Sequence, residues 1–527
     1  MKKEHLLIVI LCLALLLPCL AACTDKGGTT VPTGTDAPET DQPTGSESGS
    51  ETDEPLDPSM RYDVPPELRF PDRADGRPNT VHILQRAAQV GVTDELHAEE
   101  SGKSNVEQKI YARQALISER LNVTFDYQYE PGAATTAQQN AFQARMRNIN
   151  SSGVTEPWLV SGMIYSMPAL AGGTEGILYD LYAMQEGKTN YFGGAEKIWW
   201  NRSVTEQAEL NGKLYFAVSE ANISVYNRMT VMLVNLPLAA ELCQDADGNA
   251  YDFRQMVYDQ EWTLDTFLSM LTQIGDGDAE NPATSTWGVT VRNDATTIDG
   301  VLLASGIRIT QRDDNGVPTA DGVFNTEWNK NRVQKIQDLY NKNLSLYKSN
   351  SAADVENPFV NGKAVFHINL MLAVAQENIR GMSQEFALLP LPKFDDTQKD
   401  YQVASHNEFN AMCVLTCTTD TDIASAVLEM LAYESYQNIR PALFEDTYAL
   451  RSLQTPANRE MFYYILDRSY VDFAQVYGQI FGLPIDYMRE AVRYNRGVTD
   501  TFDSRESKTV TRLQDYVKKV WGLADEA

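Results

Sequence analysis

The sequence predicts an α/β protein of more than one domain, on three observations. The body of the chain opens in the order β-α-β-α-β, the pattern of a sheet with helical crossovers. The chain has 527 residues, against roughly 100–200 for a single domain. Hydrophobic residues make up 43% and charged residues 22%, a balance that can fill a core.

The first 59 residues read as an address rather than a fold. Lys2 and Lys3 precede an apolar stretch from Leu6 to Leu17. That stretch is too short to span a bilayer comfortably and has the length of a signal segment. It ends in Leu20-Ala21-Ala22-Cys23, which resembles the lipobox of bacterial lipoproteins and implies cleavage before Cys23 and lipid on its sulfur. Of residues 24–59, 31 of 36 are Thr, Ser, Gly, Pro, Asp or Glu, and none is aromatic. Such a segment cannot bury enough apolar surface to offset its ordering entropy, so 23–59 is expected to be a lipidated cysteine followed by a disordered acidic tether.

In the body, NTVHILQR (Asn79–Arg86) alternates as an opening strand. A helix is expected from about Glu107 to Leu121, with Ile110, Ala115, Leu116 and Leu121 as its apolar face. VTFDYQY (Val123–Tyr129) alternates again, a second helix runs to about Ile149, and Trp158-Leu159-Val160 reads as a buried strand. KLYFAV and VMLVNL, between 211 and 236, read as two successive strands. Thr263 caps a helix with apolar Phe267, Leu268, Leu271 and Ile274, and Asp265 favours its first turn. Another helix spans about Thr326 to Asn341, and Ile423, Ala426, Val427, Met430 and Leu431 form a helical stripe. The last hundred residues read as wholly helical, and no internal repeat is found.

Charge excludes several functions. With 72 acidic and 44 basic side chains, the formal charge is −28. Nucleic acid needs clustered Lys and Arg, and an anionic membrane surface needs a basic face. No second long apolar run follows the N-terminus, which excludes a polytopic membrane protein. Contact with the membrane is therefore expected through the lipid alone.

Catalytic and cofactor signatures are missing. The sequence holds no GxSxG, GxGxxG, P-loop or HExxH. The four body histidines, His82, His97, His367 and His406, have no metal-binding spacing, and neither a metal nor a cofactor is expected. Asp245-Ala246-Asp247-Gly248-Asn249 begins like an EF-hand, but Ala250 and Met256 occupy the positions that need Gly and Glu. Asp276, Asp278 and Glu280 alternate in a Gly-rich loop and leave calcium open there. Cys413 and Cys417 lie about 13 Å apart if extended, too far to bridge. Buried free thiols are expected at Cys243, Cys413 and Cys417. The 25 Tyr and 7 Trp, many beside Asn, Asp and Ser, suit sugar rings, whose flat C–H faces stack and whose hydroxyls hydrogen-bond.

The order of several segments resembles family 1 extracellular solute-binding proteins of ABC importers, the maltose-binding class. The segments are ELNGKLYFAVSEANISVYN (Glu209–Asn227), EWTLDTFLSML (Glu261–Leu271), WGVTV (Trp287–Val291), FVNGKAVFHIN (Phe359–Asn369), FALLPLPKF (Phe386–Phe394) and the Ile423 helix. Departures are Arg228 in place of a usual Lys, and no Pro before Trp262. The resemblance implies a two-lobed, periplasmic-binding-protein-like fold of type II, with a hinge and a helical C-terminal region. Lobe 1 would comprise 78–219 plus 370–417. Lobe 2 would comprise 223–366 plus 418–527.

The same resemblance implies a monomeric, non-enzymatic protein, lipid-anchored on the extracellular face of a bacterial membrane, of Gram-positive type. It would capture a small solute, a sugar above all, and hand it to an ABC permease. Sheets of this class bind ligands beyond their strand ends. That selects Gln85 and Arg86 after the first strand, and Ser161, Met163 and Tyr165 after the third. It also selects Glu220 and Asn222 at the first crossing, Asn293 and Asp294 after WGVTV, and Asn369 at the second crossing. His406 and Asn407 follow PLPK, and Tyr477 could stack from the C-terminal helices. A surface glycoside-acting enzyme and a ligand-presenting partner of a membrane sensor remain alternatives.

Overall fold

The structure is a computed structural model that describes residues 60–87, 94–131, 135–282, 284–449, 452–453 and 455–523. The signal, Cys23 and the acidic tether lie outside the described residues. Two sheets organise the rest. The first contains β1 (Asn79–Arg86), β2 (Val123–Glu130), β3 (Trp158–Met163) and, much later in the chain, Asn410–Val414. The second contains β4 (Thr230–Asn235), β5 (Trp287–Arg292), β6 (Leu346–Ser349), β7 (Ala364–Leu370) and β8 (Phe386–Leu389). A short ribbon pairs β9 (Val403–Ala404) with Ser469–Tyr470, and the late strand of the first sheet is β10 (Asn410–Val414).

The first sheet runs β10-β3-β1-β2. β1 lies parallel to β2 and β3, with Arg86 opposite Glu130 and Gln85 opposite Ser161. β10 closes the edge antiparallel. The second sheet runs β8-β4-β7-β5-β6. Its β5, β6 and β7 are parallel, and β4 and β8 are antiparallel. Two α/β lobes follow, each with its own sheet.

Local chemistry explains the helices. The helix α1 (Asn105–Leu121) starts at a capping box, Ser104 with Glu107, and ends at Asn122 in the left-handed conformation, φ 59°. Its buried stripe is Val106, Ile110, Arg113, Ile117 and Leu121. Ile110 and Leu121 lie on it as expected, whereas Ala115 and Leu116 are exposed, because Arg113 and Ile117, three and seven residues after Ile110, take the inward positions between them. Thr135 caps α2 (Thr136–Asn150), Thr263 caps α3 (Leu264–Ile274) and Asp294 caps α4 (Ala295–Ala304). Thr326 caps α5 (Glu327–Lys342). The C-terminal part holds α6 (Thr421–Glu434), α7 (Pro456–Leu466), α8 (Phe473–Tyr477), α9 (Pro484–Tyr494) and α10 (Val498–Trp521). It is not wholly helical. Ser469–Tyr470 is extended, and two wider π-helical stretches follow α6.

Three expectations are corrected. KLYFAV forms no regular strand. Ala217 makes an isolated bridge to Met412, and Phe216 to Val218 are buried in the core. Phe386–Leu389, placed with lobe 1 by the 370–417 boundary, pairs with β4 and so belongs to the second sheet. The α6 helix, assigned to lobe 2, packs instead on α1 and β3. Its apolar Ile423, Val427, Leu428, Met430 and Leu431 are buried there, and its carboxylate ties it to the neighbouring loop: Glu429, 0% exposed, accepts the Trp199 and Trp200 indole N–H groups at 2.7 and 3.2 Å and the Gly193 amide at 3.2 Å.

The chain passes between sheets at about 219–229 and again at about 390–409. Both passages meet at Glu95. It accepts Ser224 N–H at 2.5 Å and the Asn410 amide at 2.7 Å. Among the thiols, Cys243 and Cys413 are buried and Cys417 half-buried, and all three are free. The Asp245 and Asp278 carboxylates accept backbone N–H groups of their own turns. Among the described residues, no three His, Cys, Asp or Glu side chains converge as a metal site.

Candidate functional site: a polar cleft between the lobes

A cleft of about 430 Å³ opens where the two sheets' connecting segments face each other. From the first lobe it takes Gln139, Asn140 and Gln143 of α2, Tyr165 just beyond β3, and the loop His406–Glu408 before β10. From the second it takes Ala295 and Asp299 of α4. The C-terminal segment completes it with Gln479, Leu483, Asp486 and Arg489. That segment spans both sides: α8 packs on the Ile164–Ser166 turn, and α9 packs on α4 and α5.

The polar groups are held in networks. Gln139 donates to the Tyr165 hydroxyl, and Gln143 donates to Ser166 O at 2.9 Å. Gln479 donates to Gln139 at 3.3 Å. Arg489 donates to Asp299 at 2.7 Å and also to Asp486. Burial pushes the Asp299 carboxyl up to about 6, against the pull of Arg489. Arg228 pairs with Glu408 at 3.0 Å. Burial lowers His406 to about 4 and keeps it neutral, and its Nδ1 has no hydrogen-bond partner. Charges are paired around an otherwise amide- and hydroxyl-rich wall.

Of the thirteen sequence-selected residues, Tyr165, His406 and Asn407 line this cleft. Asp294 stands next to it, capping α4 through Thr296 N–H at 3.0 Å and pairing with Arg292. Arg86 lies behind the 408–410 loop, donating to Asn410 at 3.1 Å and Glu408 O at 2.6 Å. Gln85 is buried and donates to Asp94. Ser161 and Met163 are buried in β3. Asn293 donates its backbone N–H to Ser349 O.

Glu220 and Asn222 build the first crossing. Glu220 accepts from Tyr226 at 2.8 Å and faces Arg440 at 3.4 Å, and Asn222 accepts Ser219 N–H. Asn369 is corrected: it is buried in β7 against His367, and the chain returns to the second sheet after it rather than crossing. Tyr477 is also corrected. It is fully buried, stacked on Phe473 at 4.7 Å, with its hydroxyl on Ala208 O at 2.5 Å.

Sequence reasoning missed Gln139, Asn140, Gln143, Asp299, Gln479, Asp486 and Arg489. The α2 residues did carry a signal. Thr136, Gln139, Asn140 and Gln143 form a polar stripe at helical spacing beside the apolar Phe142, Met146 and Ile149.

Solved structures share this architecture. The sugar-binding protein MalE from the phytopathogen Xanthomonas citri superposes with a TM-score of 0.54 at 13% identity, over 85% of this chain and 100% of that one. The chain has a solute-binding-protein fold. A family 1 extracellular solute-binding protein from Bifidobacterium longum subsp. infantis gives 0.52 at 13% identity, covering 83% and 100%. A cyclo/maltodextrin-binding protein complexed with maltotetraose gives 0.51 at 11%, covering 83% and 98%. No protein-family model and no curated protein matches the sequence. In the solute-binding fold, the cleft described here is the space between the two lobes.

Proposed function

We propose that this chain is a lipid-anchored extracellular solute-binding protein that captures a carbohydrate or oligosaccharide and delivers it to an ABC importer. The observation that carries the reading is the interlobe cleft. Five amide side chains, an aromatic ring at Tyr165 and internally paired charges suit a neutral, hydroxyl-rich ligand better than a free ion. The maltotetraose bound to the cyclo/maltodextrin-binding protein of similar fold supports the same class.

The mechanism is hinge closure. A ligand shifts the protein toward closure only by its extra affinity for the closed form. Glu95, which ties both crossings, and Gln479, which reaches Gln139, stand where such a motion would be felt. A permease then distinguishes loaded from empty protein by its closure. A micromolar dissociation constant would correspond to about −8 kcal/mol.

Thermal-shift measurements against mono-, di- and oligosaccharides, peptides and polyamines test the binding step. One sugar class is expected to stabilise the protein by about 2.7 kcal/mol at 100 times its dissociation constant and to be recovered intact. Tyr165→Ala should weaken that effect by about tenfold or more. Stabilisation by a peptide or polyamine with a flat sugar panel would remove the carbohydrate assignment. Hydrolysis of the sugar would favour an enzyme.

The anchor is tested separately. Cys23→Ser protein expressed in a bacterial host is expected in the aqueous phase of a detergent partition, and the parent chain in the detergent phase. Equal partitioning of the two would argue against lipid on Cys23.

A further inference from the structure

We infer that the second lobe carries another binding site, distinct from the interlobe cleft, that takes an anionic sugar unit. The site is a groove of about 660 Å³, larger than the cleft's 430 Å³ and sharing no lining residue with it. It lies between the Gly306–Arg308 segment after α4, Trp328 in the first turn of α5, the loop Thr397–Gln402, and the ribbon residues Asp467–Tyr470.

Charge is the first argument. The chain's formal charge is −28, yet this groove gathers Arg308, Lys399 and Arg468 against Asp400 and Asp467. Arg468 is neutralised by Asp400 at 2.8 Å. Among the described residues, Arg308 and Lys399 make no ion pair, and both are exposed. Arg308 is held by an aromatic face instead of an acid: its guanidinium lies 4.8 Å from the Trp328 ring centre. Arg332 lies 3.3 Å from that same ring centre, and the indole N–H is fixed on Gly306 O at 2.9 Å. A guanidinium stacked on a clamped ring is oriented but keeps its donors free for a carboxylate or phosphate.

Unspent hydrogen-bonding capacity is the second argument. Gln402 and Ser469 line the groove, and beneath its surface Gln402 Oε1 and Ser469 Oγ are buried with no hydrogen-bond partner. Buried polar atoms are ordinarily paired. An acceptor and a hydroxyl left over in a groove with one excess positive charge match a ring that carries both hydroxyls and an anionic group. A plain inorganic anion would satisfy the cations but not Gln402, and a neutral sugar would leave the cations unused. The shared chemistry is a polyhydroxylated ring bearing a carboxylate or a phosphate.

Isothermal titration of the full-length chain in detergent, with D-glucuronate, glucose 6-phosphate and glucose as probes, tests the site. At least one anionic probe is expected to bind, and more weakly at high salt. The double variant R308A/K399A should weaken that binding by about tenfold or more while keeping its far-UV circular dichroism, since both side chains are exposed. Tyr165→Ala, in the cleft, should leave it unchanged. Binding of glucuronate alone would assign a carboxylate, and of glucose 6-phosphate alone a phosphate. The inference is overturned if neither anionic probe binds, if R308A/K399A binds as tightly as the parent, or if Tyr165→Ala abolishes the binding.

Discussion

Glu429→Ala is expected to destabilise the protein by about 3–5 kcal/mol, since each donor left without an acceptor costs about 1–3 kcal/mol. Its carboxylate is fully buried and takes three donors: the indole N–H groups of Trp199 and Trp200 and the Gly193 amide. Truncation leaves two buried indole N–H groups and a half-buried amide without an acceptor. It also weakens the hold of α6 on the 190–200 loop, where Tyr191 N–H donates to Ser425 Oγ at 3.0 Å and the Trp199 ring meets Tyr433 edge-on at 5.1 Å. The adjoining space is tight, since an added Cβ on Gly193 would stand 2.9 Å from Glu429 Oε1. Urea denaturation followed by tryptophan fluorescence measures the effect, because the reporters sit at the lesion. A loss below about 1 kcal/mol, the value of a single ordinary hydrogen bond, would show that water replaces the carboxylate and that the staple does not hold α6.

Glu220→Gln is expected to change how stability depends on pH. Burial raises the Glu220 carboxyl to about 7, with Arg440 and the Tyr226 hydroxyl pulling it down by less. In the unfolded chain it would titrate near its ordinary 4.5. Below that value both states hold the proton, and its contribution to stability is full. As pH rises, the unfolded chain loses the proton first, so the contribution falls and is gone above about 7. The stability of the parent relative to Glu220→Gln should therefore drop by on the order of 2–3 kcal/mol between pH 4.5 and 7.5. Taking the difference between two proteins cancels the carboxyls that titrate the other way, such as Asp126 and Glu156, whose values are lowered. Urea midpoints at five pH values give the measurement. A constant difference across the range would mean that Glu220 is ionised and fully compensated by Arg440 in the folded state. Glu220 sits at the first passage between the lobes, so the same proton bears on the hinge.

Much of the fold was legible because it is written in local pattern. The alternation of NTVHILQR and VTFDYQY became β1 and β2, and Thr263 and Thr326 cap helices close to where their side chains predict. Cleft residues were legible only where they follow a strand end, as with Tyr165, or precede one, as with His406 and Asn407. Asn369 and Tyr477 misled for one reason. A polar or aromatic residue near an expected crossing looks the same in sequence whether it faces a ligand or fills the core. Burial decides, and burial is a property of what packs on it.

The sequence by itself determined the α/β class, the order of the main elements and the acidic character. Periodicity, capping and composition act over a few residues, and no distant partner is needed to read them. Only the tertiary structure decided that β8 joins the second sheet, that α6 packs on the first, and that α2, α4 and α9 meet around one cleft. Those pairings join residues hundreds of positions apart, such as Glu429 with Trp199 or Arg489 with Asp299. Each depends on buried groups finding a partner, a condition that exists only once the chain has closed on itself.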